Sequence, residues 1–173
     1  MAVSQKRNIW YWSGPLPEVR VALMAGSMGV LMPGAPLELS SGVCELSDTD
    51  DTQIYGHLIG SVATPTTWPI AAEYTANDQV WVAVINKDTI YAGFCDSNDT
   101  DSAVAQSNVG TYVAMRVSSL SGAVGYVTVD IGDTTSGDML SVVDIASNVE
   151  SSKYTTSDNP GVALVRHIGT LQG

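Results

Sequence analysis

The stretch Gln79-Val-Trp-Val-Ala-Val-Ile85, followed by Asn86-Lys-Asp88 and Thr89-Ile-Tyr-Ala-Gly-Phe94, decides the fold class. Both apolar runs are rich in β-branched and aromatic residues, which favour strands, and Asn and Asp tolerate the backbone conformations of tight turns. We therefore predict a β-hairpin whose two strands are neighbours in one sheet. In Gln79–Ile85 both alternating sets of side chains are apolar, which predicts a strand covered on both faces or an edge strand against a partner subunit.

Similar segments, rich in Val, Ile, Tyr and Thr, recur along the rest of the chain. Glycines and polar residues bound them at the spacing of about 8 to 12 residues that is typical of sandwiches and barrels. Almost no window combines helical periodicity with freedom from Gly and Pro. The pattern predicts an all-β protein, a single small β-barrel or β-sandwich domain. The predicted strands are Val19–Met24, Pro36–Ser40, Gln53–Val62, Gln79–Asn86, Thr89–Cys95, Thr111–Val117, Gly125–Asp130, Met139–Ile145 and Val162–Ile168.

The length of 173 residues suits one domain with an additional arm. Trp10-Tyr-Trp12 is followed closely by Pro15 and Pro17, so the beginning of the chain cannot form a long helix. We predict an extended amino-terminal arm over residues 1–18 and a β-barrel or β-sandwich domain over residues 19–173. The arm is expected to lay its tryptophans on another chain and to be removable without unfolding the domain; the alternative is that they fold back and cover the core.

The formal net charge is −11, and the chain has only seven Lys and Arg residues. This charge repels nucleic acid and anionic lipid, so we expect neutral or basic protein partners, and neither nucleic acid nor a membrane. Two of the cations lie near the start of the chain, among amphipathic aromatics of the kind that carry binding energy at interfaces. The residues expected to contact a partner are Lys6, Arg7, Trp10, Tyr11, Trp12 and Trp68.

The candidate catalytic motifs do not fit an enzyme. Ala25-Gly-Ser-Met-Gly29 has the spacing of a nucleophile elbow around Ser27, but the prolines that follow prevent the helix that an elbow needs. His57 and His167 are the only histidines, and neither has a second ligand at HxxxH or HxH spacing. We predict no enzymatic activity and no catalytic residue, and we expect His57 to be a structural residue whose imidazole reaches a loop carbonyl.

Two acidic segments, Asp48-Thr-Asp-Asp51 and Asp96-Ser-Asn-Asp-Thr-Asp101, crowd carboxylates as calcium loops do. The second has Asp101 where an EF-hand needs Gly, and Ser107 where it needs the closing Glu. Turns in which Asp caps its own backbone are therefore predicted instead of a metal site. Cys44 and Cys95 lie far apart without CxxC spacing, which leaves their pairing open. No metal and no cofactor is predicted.

An ordered series of short motifs runs through most of the chain: Gly34-Ala-Pro-Leu-Glu-Leu-Ser-Ser-Gly42, Ile54-Tyr-Gly-His-Leu-Ile-Gly60, Val80–Ile85, Thr89-Ile-Tyr-Ala-Gly93, Gly110-Thr-Tyr112 and Val127-Thr-Val-Asp130. In this order they resemble the head decoration (cement) proteins of tailed bacteriophages. The resemblance implies a structural virion protein that binds the outer surface of the phage capsid and cements neighbouring major capsid protein subunits, stabilising the head. It also implies self-association, as a homotrimer or a dimer, on the exterior of the virion after synthesis in the host cytoplasm.

Two other non-enzymatic functions remain open from the sequence. A carbohydrate-binding or adhesion module, for example in a phage fibre, would use Trp68, Tyr74 or Trp81 as a platform for a sugar ring. Another virion component, such as a tail-tube subunit, would need an open ring interface. Each alternative keeps the all-β fold and differs only in the partner that the surface binds.

Overall fold

The computed structural model describes residues 8–26, 28–47, 53–63, 72–98, 100–120, 122–134, 140–168 and 170–171. Strands dominate these ranges, and the helices among them are the short α1 (Ala146–Val149) and a single 3₁₀ turn, Gln106–Asn108. None of the described helices is long and apolar enough to cross a membrane. The predicted all-β class is confirmed.

Every predicted strand has a counterpart, and the strand predicted over residues 53–62 is interrupted at Tyr55. The strands in chain order are β1 (Trp10–Ser13), β2 (Glu18–Leu23), β3 (Gly29–Leu31), β4 (Pro36–Ser40), β5 (Val43–Leu46), β6 (Gln53–Ile54), β7 (Gly56–Ser61), β8 (Ala72–Tyr74), β9 (Gln79–Val84), β10 (Ile90–Ser97), β11 (Thr100–Asp101), β12 (Tyr112–Leu120), β13 (Ala123–Asp130), β14 (Leu140–Ile145), β15 (Val162–His167) and β16 (Thr170–Leu171).

Five strands close into a barrel in the order β10-β15-β14-β12-β13. The barrel closes because β13 pairs again with β10, in parallel, with Cys95 opposite Val129 and Asp96 opposite Asp130. Alternate residues of each strand face the interior, as the period of two along a strand requires. The interior is filled by apolar side chains that include Cys95, Val113, Met115, Val127, Val129, Leu140, Val142, Ala163 and Val165.

A second sheet of five strands has the order β2-β9-β7-β4-β5 and encloses its own apolar core. Met24, directly after β2, forms a bridge to Cys44 of β5, which brings the two ends of this sheet together. Strands β3 and β8 extend the barrel sheet beyond β13 and supply Leu31 and Tyr74 to this second core. The fold is thus a closed barrel joined to a rolled sheet.

The hairpin predicted from the opening stretch is wrong. β9 lies in the five-stranded sheet between β2 and β7, whereas β10 lies in the barrel. Residues 86–89 do form a turn, in which the Thr89 amide donates to the Asn86 carbonyl at 3.0 Å. The Thr89 hydroxyl donates to the Pro15 carbonyl at 2.6 Å and holds this turn, at which the chain passes from one sheet to the other.

Only one face of β9 is fully covered. Val80 and Val82 are buried, whereas Trp81, on the opposite face, is 37% exposed.

The free arm predicted over residues 1–18 is wrong for the described part of that range. β1 pairs antiparallel with β10, with Trp10 opposite Ala92. The Trp10 ring lies 5.5 Å from the Phe94 ring, and the Trp12 ring lies 6.1 Å from the Tyr154 ring. These aromatics cover the outer face of the barrel, which is the fold-back alternative, because burial of two large rings outweighs leaving them in water. Residues 1–7 lie outside the described residues.

Asn8 joins the barrel to the second core. Its side-chain amide donates to the carbonyls of Pro33, at 3.1 Å, and Gly125, at 2.7 Å. Its side-chain oxygen accepts from the Val127 amide at 2.8 Å. Asn8 is 7% exposed, so these bonds form away from water, where an unmade hydrogen bond is costly. Removal of residues 1–18 would delete these bonds and the pairing of β1 with β10, so we expect it to destabilise the domain.

Candidate functional site

A surface groove of about 470 Å³ runs across the outside of the barrel. Its floor is a row of side chains in register on three neighbouring strands: Tyr112 lies opposite Ser141, and Ser141 lies opposite Arg166. Tyr112 is 56% exposed and Ile168, at the end of the groove, is 44% exposed. Because the row belongs to a closed barrel, the backbone that presents these side chains is held on both sides.

The turn between β9 and β10 supplies the other wall of the groove, through Lys87 and Asp88. The Asp88 amide donates to the Asn86 side-chain oxygen at 2.9 Å, a self-capping arrangement that fixes the turn. Gly14 packs beneath it with φ +96°, and a Cβ there would lie 2.8 Å from the Asp88 carbonyl oxygen. Only glycine allows this close approach, so the wall is held against the β1–β2 connection.

The groove gathers cations that have no acidic partner. Among the described residues, Arg20, Arg116 and Lys153 form ion pairs with carboxylates, whereas Lys87 and Arg166 form none with a described carboxylate. Both unpaired cations line this groove, together with the single carboxylate of Asp88. The groove is therefore net positive on a chain of net charge −11, and exposed Tyr and Arg side chains are those most enriched at protein interfaces.

His57 and His167 meet between the two sheets. The Nε2 atoms of the two rings lie 3.1 Å apart, and both residues are buried. Nδ1 of His57 lies 3.0 Å from the Gly34 carbonyl, which confirms the predicted contact with a loop carbonyl. The Tyr91 ring contacts both imidazoles, with a tilted geometry to His57 at a centroid distance of 5.5 Å and an edge-on geometry to His167 at 5.2 Å.

The hydrogen bonds assign the tautomers of this pair. A carbonyl only accepts, so His57 carries its proton on Nδ1 and accepts at Nε2, and His167 carries its proton on Nε2. The remaining Nδ1 of His167 is then a bare acceptor, and it has no hydrogen-bond partner. Burial lowers the pKa of His57 to about 4, and burial and then the neighbouring His57 lower the pKa of His167 well below its usual 6.5. The two imidazoles are therefore neutral and buried, and their hydrogen bond joins β7 of the second sheet to β15 of the barrel.

A buried charged cluster fastens the barrel where it closes. Nε of Arg116 lies 3.3 Å from the Asp96 carboxylate, and the Arg116 guanidinium also bonds the Asp130 carboxylate. The Thr128 hydroxyl donates to Asp96 at 2.9 Å. Asp96 is thus engaged by a cation and a hydroxyl instead of heading a calcium loop, and no group of three or more potential metal ligands occurs in the described ranges. Asp48, Asp50, Asp51 and Asp99 lie outside them.

Cys44 and Cys95 are both buried and unpaired. They belong to different cores, with Cys44 in the second sheet and Cys95 in the barrel. Burial raises the pKa of the Cys44 thiol to about 11 and that of the Cys95 thiol to about 12. Thiols of this kind act as small apolar side chains, because nucleophilic chemistry requires the thiolate.

Of the six residues predicted from the sequence to contact a partner, the structure describes Trp10, Tyr11 and Trp12. Lys6, Arg7 and Trp68 lie outside the described residues, as does Ser27 of the candidate elbow. Trp10 and Trp12 are half-buried against the domain's own core. Tyr11 is 41% exposed, and its hydroxyl donates to the Gly14 carbonyl at 2.8 Å.

The groove residues were not predicted. The signal that could have found them is the isolated Arg166 in the apolar run Val162–Val165, together with the Tyr112 of the Gly110-Thr-Tyr112 motif. Of the aromatics considered for sugar binding, Tyr74 is 2% exposed and has no face to offer, and Trp81 lies on an open sheet face. Comparison of the chain with protein-family models, with curated proteins and with solved structures found no match.

Proposed function

We propose that the chain is a structural virion protein, without enzymatic activity, that binds the outer surface of a tailed-phage capsid. It would cement neighbouring major capsid protein subunits and so stabilise the head. The ordered motifs from Gly34 to Asp130 support this proposal. The observation that carries it is the groove in which Lys87 and Arg166 pair with none of the described carboxylates and lie beside the exposed Tyr112 and Ile168.

The net charge of −11 favours neutral or basic partners for the protein as a whole, but the local positive charge of the groove suits an acidic, extended segment of the major capsid protein. Lys87 in the wall and Arg166 in the floor favour a carboxylate in the groove, and Tyr112 and Ile168 offer apolar area to the rest of the segment. A clamp that binds only the assembled lattice stabilises the assembly by mass action and needs no chemistry. The closed barrel behind the groove suits this role, because a rigid surface loses little entropy when it binds.

The charge of the remaining surface fits the same proposal. With a net charge of −11, the protein is repelled by packaged nucleic acid and stays outside the shell. The positive groove then orients the molecule, since it is the face that an acidic capsid segment attracts. Synthesis in the host cytoplasm and a final place on the capsid exterior follow from this proposal.

Co-sedimentation with capsids that lack the protein tests the proposal. Wild-type protein is expected to pellet with such capsids, and Arg166→Glu is expected to reduce occupancy about 10-fold, as loss of an interfacial charge pair does. Lys153→Glu is the matched control, because it makes the same change of charge at an exposed site that does not line the groove. Wild-type protein that binds no capsid would overturn the proposal. Equal binding by Arg166→Glu and Lys153→Glu would show that the groove is not the surface that binds the capsid.

A further inference from the structure

The edge of the five-stranded sheet at β2 is open over most of its length. β2 pairs with β9 along its whole length, from Glu18 opposite Val84 to Leu23 opposite Gln79, without a bulge. On its other side, β5 approaches only at the far end, where the Ala25 amide donates to the Cys44 carbonyl at 2.9 Å. Among the described strands, none pairs with residues 18–22 on that side.

The alternation of an antiparallel ladder shows which backbone groups face this edge. The Met24 amide donates to the Asp78 carbonyl at 3.0 Å, so residues of the same parity, including Arg20, direct their amides and carbonyls toward β9. The backbone amides and carbonyls of Val19 and Val21 therefore point away from β9, toward the open edge. Their side chains are 52% and 45% exposed, which makes an apolar edge that natural sheets usually protect with Lys, Pro or a bulge.

The charges on this edge are self-complementary. Glu18 and Arg20 form a bidentate pair within β2, with both hydrogen bonds at 2.9 Å, and both side chains remain exposed. If a second β2 lies antiparallel with Val19 opposite Val19, Glu18 of each copy faces Arg20 of the other. The four side chains then alternate in sign around a square, and opposite charges directly across a strand pair stabilise it.

Other registers are less suitable. Pairing centred on Arg20 would set two guanidinium groups directly against each other, and like charges in that position destabilise a pair. Pairing centred on Val21 would require Leu23 to accept a partner strand at the end that β5 already occupies. Pairing centred on Val19 avoids both the repulsion between guanidinium groups and the overlap with β5. In this register the Val21 amide of one copy donates to the Pro17 carbonyl of the other, so the missing N–H of proline is not required for that bond.

We propose that a second copy of this chain binds at β2, by antiparallel pairing about a two-fold axis through Val19, and joins the two five-stranded sheets into one. The interface uses the free backbone groups of Val19 and Val21 and the reciprocal Glu18–Arg20 pairs. It is separate from the groove at Arg166 and does not depend on capsid binding. Because each copy has a net charge of −11, association is expected to be weak and to depend on concentration.

Sedimentation equilibrium of the full chain over a wide concentration range tests this proposal. Wild type is expected to show a monomer–dimer equilibrium. Arg20→Glu, which sets Glu against Glu18 of the other copy, is expected to weaken dimerisation about 10-fold or more. The double variant Glu18→Arg/Arg20→Glu restores the alternation and is expected to return to the wild-type constant. Lys153→Glu, with the same change of net charge away from β2, is expected to dimerise like wild type.

A mixing experiment tests the register. Val19→Lys and Val19→Glu are each expected to be monomeric alone, because like charges meet on the axis, and to form a heterodimer when mixed. A wild type that stays monomeric, an Arg20→Glu variant that dimerises normally, a charge swap that restores nothing, or a mixture without heterodimer would each overturn the proposal. Capsid co-sedimentation of Arg20→Glu distinguishes the two proposals. If this variant is monomeric but binds capsids normally, capsid binding does not require dimerisation at β2.

Discussion

Nε2 of His57 and Nε2 of His167 lie 3.1 Å apart, although 110 residues separate them along the chain. His57 belongs to β7 of the rolled sheet and His167 to β15 of the barrel. Their hydrogen bond therefore ties the two sheets together across the junction. In the folded protein both rings are held in their neutral form, because burial disfavours the charged form of each.

This link predicts that the protein loses stability as the pH falls below 6.5. Burial lowers the pKa of His57 from 6.5 to about 4 and lowers that of His167 in the same direction. Between these values the unfolded chain binds protons that the folded protein does not, so the free energy of unfolding falls as the pH falls. The contribution is complete above pH 6.5, and each histidine adds up to about 1.4 kcal/mol per pH unit within the window. Urea unfolding at several pH values measures the slope.

The double variant His57→Gln/His167→Gln is the control, because it keeps polar side chains that do not titrate. Its slope is expected to be smaller than that of wild type, and carboxylates contribute equally to both proteins. Equal slopes would contradict the account. If the variant does not fold, NMR titration of the two imidazoles in wild type gives the same information, since burial lowers the pKa of both below 6.5 and both are expected to stay neutral where a free histidine becomes charged.

Replacing Arg116 by Met is expected to destabilise the protein strongly. The guanidinium contacts the carboxylates of Asp96 and Asp130, which are buried at the closure of the barrel. Its removal leaves two buried carboxylates without a cation, a change that costs about 3 to 5 kcal/mol. Urea unfolding at pH 7 measures the loss.

Arg20→Met provides the comparison, because Arg20 also pairs with a carboxylate but is exposed. Its loss is expected to cost less than about 1 kcal/mol, as for other surface ion pairs. Similar losses for Arg116→Met and Arg20→Met would show that the cluster at Asp96 does not fasten the barrel.

Asn8→Ala is expected to destabilise the protein, because Asn8 fastens the first described residues of the chain to the rest of the fold. It removes the buried bonds to the Gly125 carbonyl and the Val127 amide, and the partly buried bond to the Pro33 carbonyl. Each buried backbone group left without a partner costs about 1 to 3 kcal/mol. Asn148→Ala also removes two side-chain hydrogen bonds, but at an exposed position, and is expected to change stability little. Equal thermal midpoints for the two variants would contradict the role of Asn8.

The strands were predictable because their signal is local. Pro36–Ser40 has the same bounds in the sequence prediction and in the structure, and the strand at Val162 ends within one residue of its predicted end. Alternation of apolar residues bounded by Gly, Asn and Asp is enough to fix such segments. A turn was also predicted at Asn86–Asp88, and residues 86–89 do form one, although it does not close a hairpin.

The features that the sequence did not predict depend on contacts between distant parts of the chain. β9 and β10 do not pair with each other, because each has an apolar face that a different sheet covers. The same reason places Trp10 on Phe94 instead of on a partner. The groove at Arg166 arises from the register of three strands, and no spacing in the sequence shows that Tyr112 and Arg166 share a row.

Cryo-electron microscopy of tailed-phage heads with and without this protein tests the central proposal most directly. Decorated heads are expected to show additional density on their outer surface, in contact with neighbouring major capsid protein subunits, with the groove at Tyr112 and Arg166 facing the shell. Heads that lack the protein should rupture at a lower temperature, because the clamp stabilises only the assembled lattice. Identical maps from the two preparations, with no density outside the shell, would contradict it.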